Sequence, residues 1–263
     1  LVVIAFGVFG IFFPLTLYLQ AGLGYTPLEA GLVTAPMAVM QLIFAPVAGR
    51  MSDRYGSRRF LIVGTGLAVL GIALLAWQSR ADTTWVDLMI PTLVTGIGMG
   101  MTMSPLTSLA MREVPRGIAG SASGIYNTMR SIGQVLGIAV LGTLLQARTG
   151  IEPEARLAGM GLDPGLKADL VRQAESSQFE RIAETLGQVP EQAAAISRTI
   201  HLAFADAIQF TLFANAALGA VALLIALQLR EGPSHGLAET PEPARTGGVR
   251  PVRAARAADH ATE

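Results

Sequence analysis

The sequence predicts an all-α membrane protein with six transmembrane helices. Three observations carry that prediction. Hydrophobic residues make up 51% of the 263 positions and mean hydropathy is +0.49. Charged residues make up only 14%, against about 25% in a soluble domain. The charges are also unevenly placed, with 13 of 38 in residues 1–147 and the other 25 in 148–263. Within the first part, apolar runs about long enough to cross a bilayer core alternate with short charged knots.

The first run, 1–20, is apolar from its first residue. It has no start Met, basic leader or small-residue cleavage site, so it reads as a span and not a signal peptide. Because it opens in mid-run, the chain is expected to be part of a longer protein. The next spans are expected at about 31–48, 60–78, 85–110 and 118–146, and the sixth at 204–229. Pro14, Pro36, Pro46, Pro91 and Pro105 fall inside runs; membrane helices tolerate them because neighbours re-satisfy the freed backbone groups. Tyr18, Tyr25, Trp77 and Trp85 lie at run ends, where interfacial aromatics belong.

Between the fifth and sixth spans, residues 148–203 carry Leu166, Leu170, Val171, Ala174, Phe179, Ile182, Ala183 and Leu186 at helical spacing. An amphipathic outer helix is expected, broken near Gly187 and Pro190, with a second stretch running from Pro190 into the last span. The remainder, 230–263, is rich in Pro, Gly, Ala and Arg and is expected to be disordered.

Several function classes fall away. Formal net charge is zero, so no basic face recommends a nucleic-acid partner. With no cysteine, thiolate metal sites, disulfides and cysteine nucleophiles are excluded. Gly96-Ile97-Gly98-Met99-Gly100 lies in an apolar helix with no preceding strand, which rules out a dinucleotide loop. Gly96/Gly100, Gly120/Gly124 and Gly133/Gly137 instead have the four-residue spacing of close helix packing. No hydrolase, metalloprotease or ATPase motif is present, and the chain is not expected to be an enzyme or to hold a metal or cofactor.

Orientation follows from the short connections. Arg50, Arg54, Arg58 and Arg59 separate the second and third spans, and Arg112 and Arg116 separate the fourth and fifth. The alternate connections carry no cation or only Arg80. The basic side is expected to face the cytoplasm, with the C-terminus on that side and 148–203 outside.

The most specific knot is Gly49-Arg50-Met51-Ser52-Asp53-Arg54-Tyr55-Gly56-Ser57-Arg58-Arg59. Gly49 would let backbones approach and Gly56 permits positive φ. Asp53 could complement the start of the third helix or pair with Arg54, Arg58 or Arg59. The spacing G-x-x-x-D-R-x-G-x-R-R resembles the signature loop of the major facilitator superfamily, which joins the second and third helices of each six-helix half. The block from Pro105 to Gly137, including Arg112-Glu113, Pro115, Gly117, Asn127, Arg130 and Gln134, is similar to the fourteen-helix drug–proton antiporter branch. So are Phe12 to Gln20, Gly24-Tyr25-Thr26-Pro27, Ala30-Gly31 and Phe204-Ala205-Asp206-Ala207.

The resemblance covers about residues 1–230 and implies the C-terminal six-helix bundle of that fold. It further implies a bacterial inner-membrane exporter of amphipathic, often cationic compounds, working by alternating access with the proton as coupling ion. The loop around Asp53 would then be a gating element. The first half would be a partner in the same transporter, and the bilayer the other partner. Coupling carboxylates of this branch often lie in that first half. Two alternatives stay open: a facilitator of another small solute, and a non-transporting, truncated membrane scaffold.

Among polar positions in the spans, Arg130 lies 12 residues after Ile118, or ~18 Å along a helix. A cation there costs ~2.5–3.5 kcal/mol and marks a functional or paired site. It reads either as a structural clamp or as part of a substrate or proton path, with Asn127 one turn earlier. Gln20, Gln41 and Gln134, together with Gln209 and Asn215, could bind a ligand or bridge helices. Asp206 reads either as an outer proton site or as an acid at the start of the last helix complementing its dipole, with His201 nearby.

Overall fold

Apolar residues in long runs bury backbone polarity most economically as helices. The computed structural model describes residues 1–80, 82–112, 114–157, 164–175, 182, 186 and 190–228, and its regular elements are helical throughout. Six helical segments among them are long and apolar enough to cross a membrane.

The first span is not one helix. It comprises α1 (Val2–Phe9), α2 (Phe12–Leu17) and a wide π-type turn at Tyr18–Gly22. The second span is α3 (Pro27–Tyr55), longer at both ends than the expected 31–48. Its start is fixed by a capping box: Thr26 Oγ1 accepts from the Glu29 N–H at 3.3 Å, and the Glu29 carboxylate accepts from the Thr26 N–H at 2.8 Å. Pro27 occupies the first helical position, where its missing N–H costs nothing. The third span is α4 (Ser57–Gln78) and the fourth α5 (Trp85–Met111). A second capping box, Thr84 with Asp87, opens α5.

A short 3₁₀ turn at Arg116–Ile118 leads into α6 (Ala119–Leu157), which continues eleven residues past the expected end of the fifth span. Beyond it come α7 (Pro164–Glu175) and α8 (Pro190–Gln228). Thus the outer segment 148–203 is in good part an extension of the spans that flank it. The extension is held by a separate apolar cluster in which Leu157, Leu170, Ala174, Ile182, Leu186, Ile196 and Ile200 are buried. Lys167 on α7 also reaches Glu154 on α6 at 3.9 Å. Phe179, Ala183, Gly187 and the tail 230–263 lie outside the described residues.

Two clusters form the core of the bundle, one on each side of the break in the first span. Ile4, Val8, Met37, Leu61, Ala68, Met99 and Ala222 make the first. Ile11, Leu15, Tyr18, Ile72, Leu75, Leu88, Phe204 and Ile208 make the second. Burial is unequal: 56% of the most apolar window of the first span is buried, but 11% in α3 and 22% in α6. These two helices expose apolar side chains such as Leu32, Leu42, Ile125 and Val135, a surface that belongs in contact with a bilayer or with further apolar protein and not with water.

Candidate functional site

The arginine-rich turn stitches three elements together at one end of the bundle. α3 ends with the Gly56 N–H donating to the Ser52 carbonyl at 3.0 Å, and Gly56 itself adopts φ 95°. A side chain at that position would be strained, so glycine is required. The Ser52 hydroxyl is buried and donates to the Gly49 carbonyl at 2.8 Å. Gly49 faces Ser104 of α5, close enough that a Cβ would press on its hydroxyl. Across the bundle, Arg58 Nη2 donates to the Leu227 carbonyl in the last turn of α8 at 2.6 Å. A cation at a helix C-terminus is favoured by the orphan carbonyls and the helix dipole. Arg54 and Arg59 are exposed. Asp53 falls in the last turn of α3, before the turn and not at the start of α4; its side chain lies outside the described residues.

Glycine seams set the distances between helices. Gly96 and Gly100 of α5 lie on the backbone of Met37 and Gln41 of α3. Gly133 and Gly137 of α6 lie on Val2, Phe6 and Gly10 of the first span. Gly120 and Gly124 behave differently from the packing expected of them: a Cβ added to either would meet no neighbouring element within 4 Å, because they sit on the open face near the start of α6. A further seam was legible only as scattered small residues. Gly64, Ala68 and Gly71 of α4 meet Met101–Thr102, Gly98 and Thr95 of α5, so closely that a Cβ on Gly98 would overlap the Ala68 backbone.

The polar positions of the spans do not form one cluster. Gly133 packs at Val2 and Gly142 at Phe13, so α6 runs parallel to the first span. Arg130 therefore lies level with the beginning of that span, and Gln20 at its far end, about 30 Å along the bundle at 1.5 Å per residue. Arg130 is half-buried and its Nε atom is buried without a hydrogen-bond partner. One turn earlier, buried Tyr126 pairs its hydroxyl with Thr107 of α5 at 2.8 Å; sequence reasoning passed over it. Asn127 is exposed, whereas Gln134 and Gln41 are half-buried.

Other amides bridge helices. Gln209 Nε2 of α8 donates to the Ala76 carbonyl of α4 at 3.1 Å. Tyr18, fully buried, donates to the Arg80 carbonyl at 2.7 Å and ties the end of the first span to the α4–α5 connection.

Asp206 is corrected in position. α8 begins at Pro190, so Asp206 lies sixteen residues inside it, about 24 Å from the helix start. A dipole effect that fades within one turn does not reach it. Asp206 is exposed, and one turn further on the Arg148 guanidinium of α6 stacks 3.8 Å from the centroid of Phe210. His201 is half-buried. Among the described residues no group of three or more acids and histidines could hold a metal ion.

Six apolar helices, tight glycine seams and a basic turn pinned to a helix end define a polytopic α-helical membrane protein. Residues 1–138 match the sequence profile of the Major Facilitator Superfamily. The chain belongs to that family, whose members are transporters and not enzymes. It is 33% identical over 159 residues to the multidrug resistance protein Stp of Mycobacterium tuberculosis, covering 60% of this chain and 29% of that one. It is 30% identical over 265 residues to the tetracenomycin C resistance and export protein of Streptomyces glaucescens, covering 94% and 46%. It is 28% identical over 165 residues to the quinolone resistance protein NorB of Staphylococcus aureus, covering 59% and 36%. The chain thus spans less than half the length of each of these relatives.

Proposed function

We propose that this chain is the second half of a bacterial inner-membrane exporter that expels amphipathic drugs or toxic compounds in exchange for protons. The observation that carries this reading is the alignment of nearly the whole chain with a relative named for antibiotic resistance and export. Two features of the bundle support it. The spans are poor in polar side chains that could specify a small hydrophilic solute, and the Gly49–Arg59 turn is built from close contacts with α5 and α8 that any relative movement of those helices must break and remake. In this reading the turn, including Asp53, gates alternating access. The connections bearing the arginines and the C-terminal tail face the cytoplasm, and Arg130 with its unsatisfied Nε serves the gate or the path through the missing half.

The test is made in a host stripped of its own drug pumps. The full-length protein is expected to confer resistance and dye efflux that collapse with a protonophore. Asp53→Asn and Arg130→Ala, each at parental expression, are expected to lower efflux about tenfold, equivalent to about 1.4 kcal/mol on the transport barrier. Parental efflux in both variants would remove the roles assigned to these residues.

A further inference from the structure

The break in the first span has a cause on another helix. Gly10 and its neighbour Ile11 keep right-handed helical dihedrals. The Gly10 N–H donates to the Phe6 carbonyl at 2.9 Å, and the Leu15 N–H to the Ile11 carbonyl at 3.0 Å. Between those two bonds stands the side-chain amide of Asn215, fully buried on α8. In the orientation that satisfies both neighbours, its nitrogen donates to the Gly7 carbonyl at 3.2 Å and its oxygen accepts from the Ile11 N–H at 3.3 Å. Gly7 carbonyl and Ile11 N–H are the two ends of one rung of a continuous α-helix. The amide has been inserted into that rung, a recognised origin of helix kinks.

Local sequence makes room for it. A Cβ on Gly10 would lie 3.2 Å from the Asn215 side-chain amide and 2.7 Å from a methyl of Leu141. One turn along α8, Gly219 comes so near that a Cβ on Gly7 would lie 2.9 Å from its Cα. The insertion and the break in the ladder are energetically coupled. A buried amide without partners costs several kcal/mol on apolar transfer scales, so the rung closes only when the amide finds other partners.

We propose that Asn215 is the positioning residue of a hinge at Gly10–Ile11. With the amide in the rung the first span is bent. With the amide withdrawn, the Ile11 N–H bonds the Gly7 carbonyl and the span straightens, and transport alternates between the two. The last clause rests on the exporter reading; the hinge does not.

The experiment uses the full-length protein in nanodiscs. This half has no cysteine, so spin labels can be placed at two introduced thiols, on exposed Val3 of α1 and exposed Val63 of α4, with any cysteines elsewhere replaced by serine. The distance distribution is read by dipolar EPR in the parent, Asn215→Leu and Asn215→Asp. Leu keeps the bulk and removes both bonds. Asp in this buried setting is held neutral and carries the same donor and acceptor as the amide. Asn215→Leu is expected to shift the distribution by a few ångströms, and Asn215→Asp to keep the parental one. A parental distribution in Leu, or a shift in Asp equal to that in Leu, would overturn the hinge. Should Leu fail to assemble, Asn215→Ala makes the same deletion with less bulk. Dye efflux separates the role in transport from the hinge itself: Leu is expected to lose most of it and Asp to retain it. A shifted distance with intact efflux in Leu contradicts the part of the hinge in transport. Absence of efflux in the parent counts against the exporter reading and leaves the distance result standing.

Discussion

The first span and α5 have similar ingredients and opposite outcomes. Both are apolar and rich in glycine, the first with Pro14 and α5 with Pro91 and Pro105. Yet α5 runs unbroken from Trp85 to Met111 and the first span divides at Gly10 and Ile11. In α5, hydroxyls of Thr92 and Thr95 return to the carbonyls of Leu88 and Pro91 at 2.8 and 2.7 Å, so the polar side chains beside Pro91 bond within their own helix and leave the ladders of its neighbours untouched. The helix is also clasped on two sides, by α3 at Gly96 and Gly100 and by α4 at Gly98. The first span is clasped too, but one of its neighbours presents an amide where the ladder runs. A proline removes a donor; it takes a competing polar group to part the rung. Proline count alone therefore does not locate the break in a membrane helix.

The largest effect should come from opening the clasp on the continuous helix. Gly98→Leu forces a side chain onto the Ala68 backbone. Overpacking costs typically ~1–3 kcal/mol when neighbours can yield, and here the neighbour is main chain. The expected outcome is a fall of many degrees in the melting temperature in detergent, or no folded protein, together with loss of efflux. A variant melting with the parent would show that α4 and α5 do not need their close approach.

Gly56→Val comes next, because it strains backbone and not packing. Holding a β-branched residue at φ 95° costs of order 1–3 kcal/mol. Efflux is expected to fall several-fold with a smaller drop in melting temperature than Gly98→Leu gives. Equal melting and efflux in parent and variant would show that the α3–α4 turn tolerates another shape.

The smallest effect is expected at Gly124→Ala, on the open face of α6. Alanine should be neutral or stabilise that helix by up to ~1 kcal/mol through propensity alone, with efflux unchanged. A large loss would mean that Gly124 meets a helix of the other half, and would restore the packing role its spacing first suggested.

The fold was legible because bilayer thickness leaves its mark on composition. Runs of about twenty apolar residues locate all six spans, and one short motif supplied the family. Helix ends were less legible. The capping boxes at Thr26/Glu29 and Thr84/Asp87 can be read locally, and they place the starts of α3 and α5. The continuation of α6 to Leu157 cannot, since it depends on a cluster contributed by α7 and α8. The helix that runs from Pro190 into the last span was expected and is found, but Asp206 was placed by the apolar run starting at Phe204 and not by that helix, which is already four turns old there.

The candidate site was legible in part. Gly56 could be assigned its positive φ from residue type and context. The Arg58–Leu227 bond joins residues 169 apart, and nothing in either neighbourhood announces the other. Asn215 read only as a polar residue in an apolar helix. Its significance lies in which rung of which helix it meets, and that is a property of the packed bundle.

The Asn215 amide, and not Pro14, parts the first span. This assignment is tested most directly by Pro14→Ala, which restores the missing donor and leaves Asn215 in place. With spin labels at Val3 and Val63 in the full-length protein, Pro14→Ala is expected to keep the parental distance distribution. A Pro14→Ala distribution displaced from the parent to match that of Asn215→Leu would contradict it, by showing that restoring one backbone donor is enough to straighten the helix.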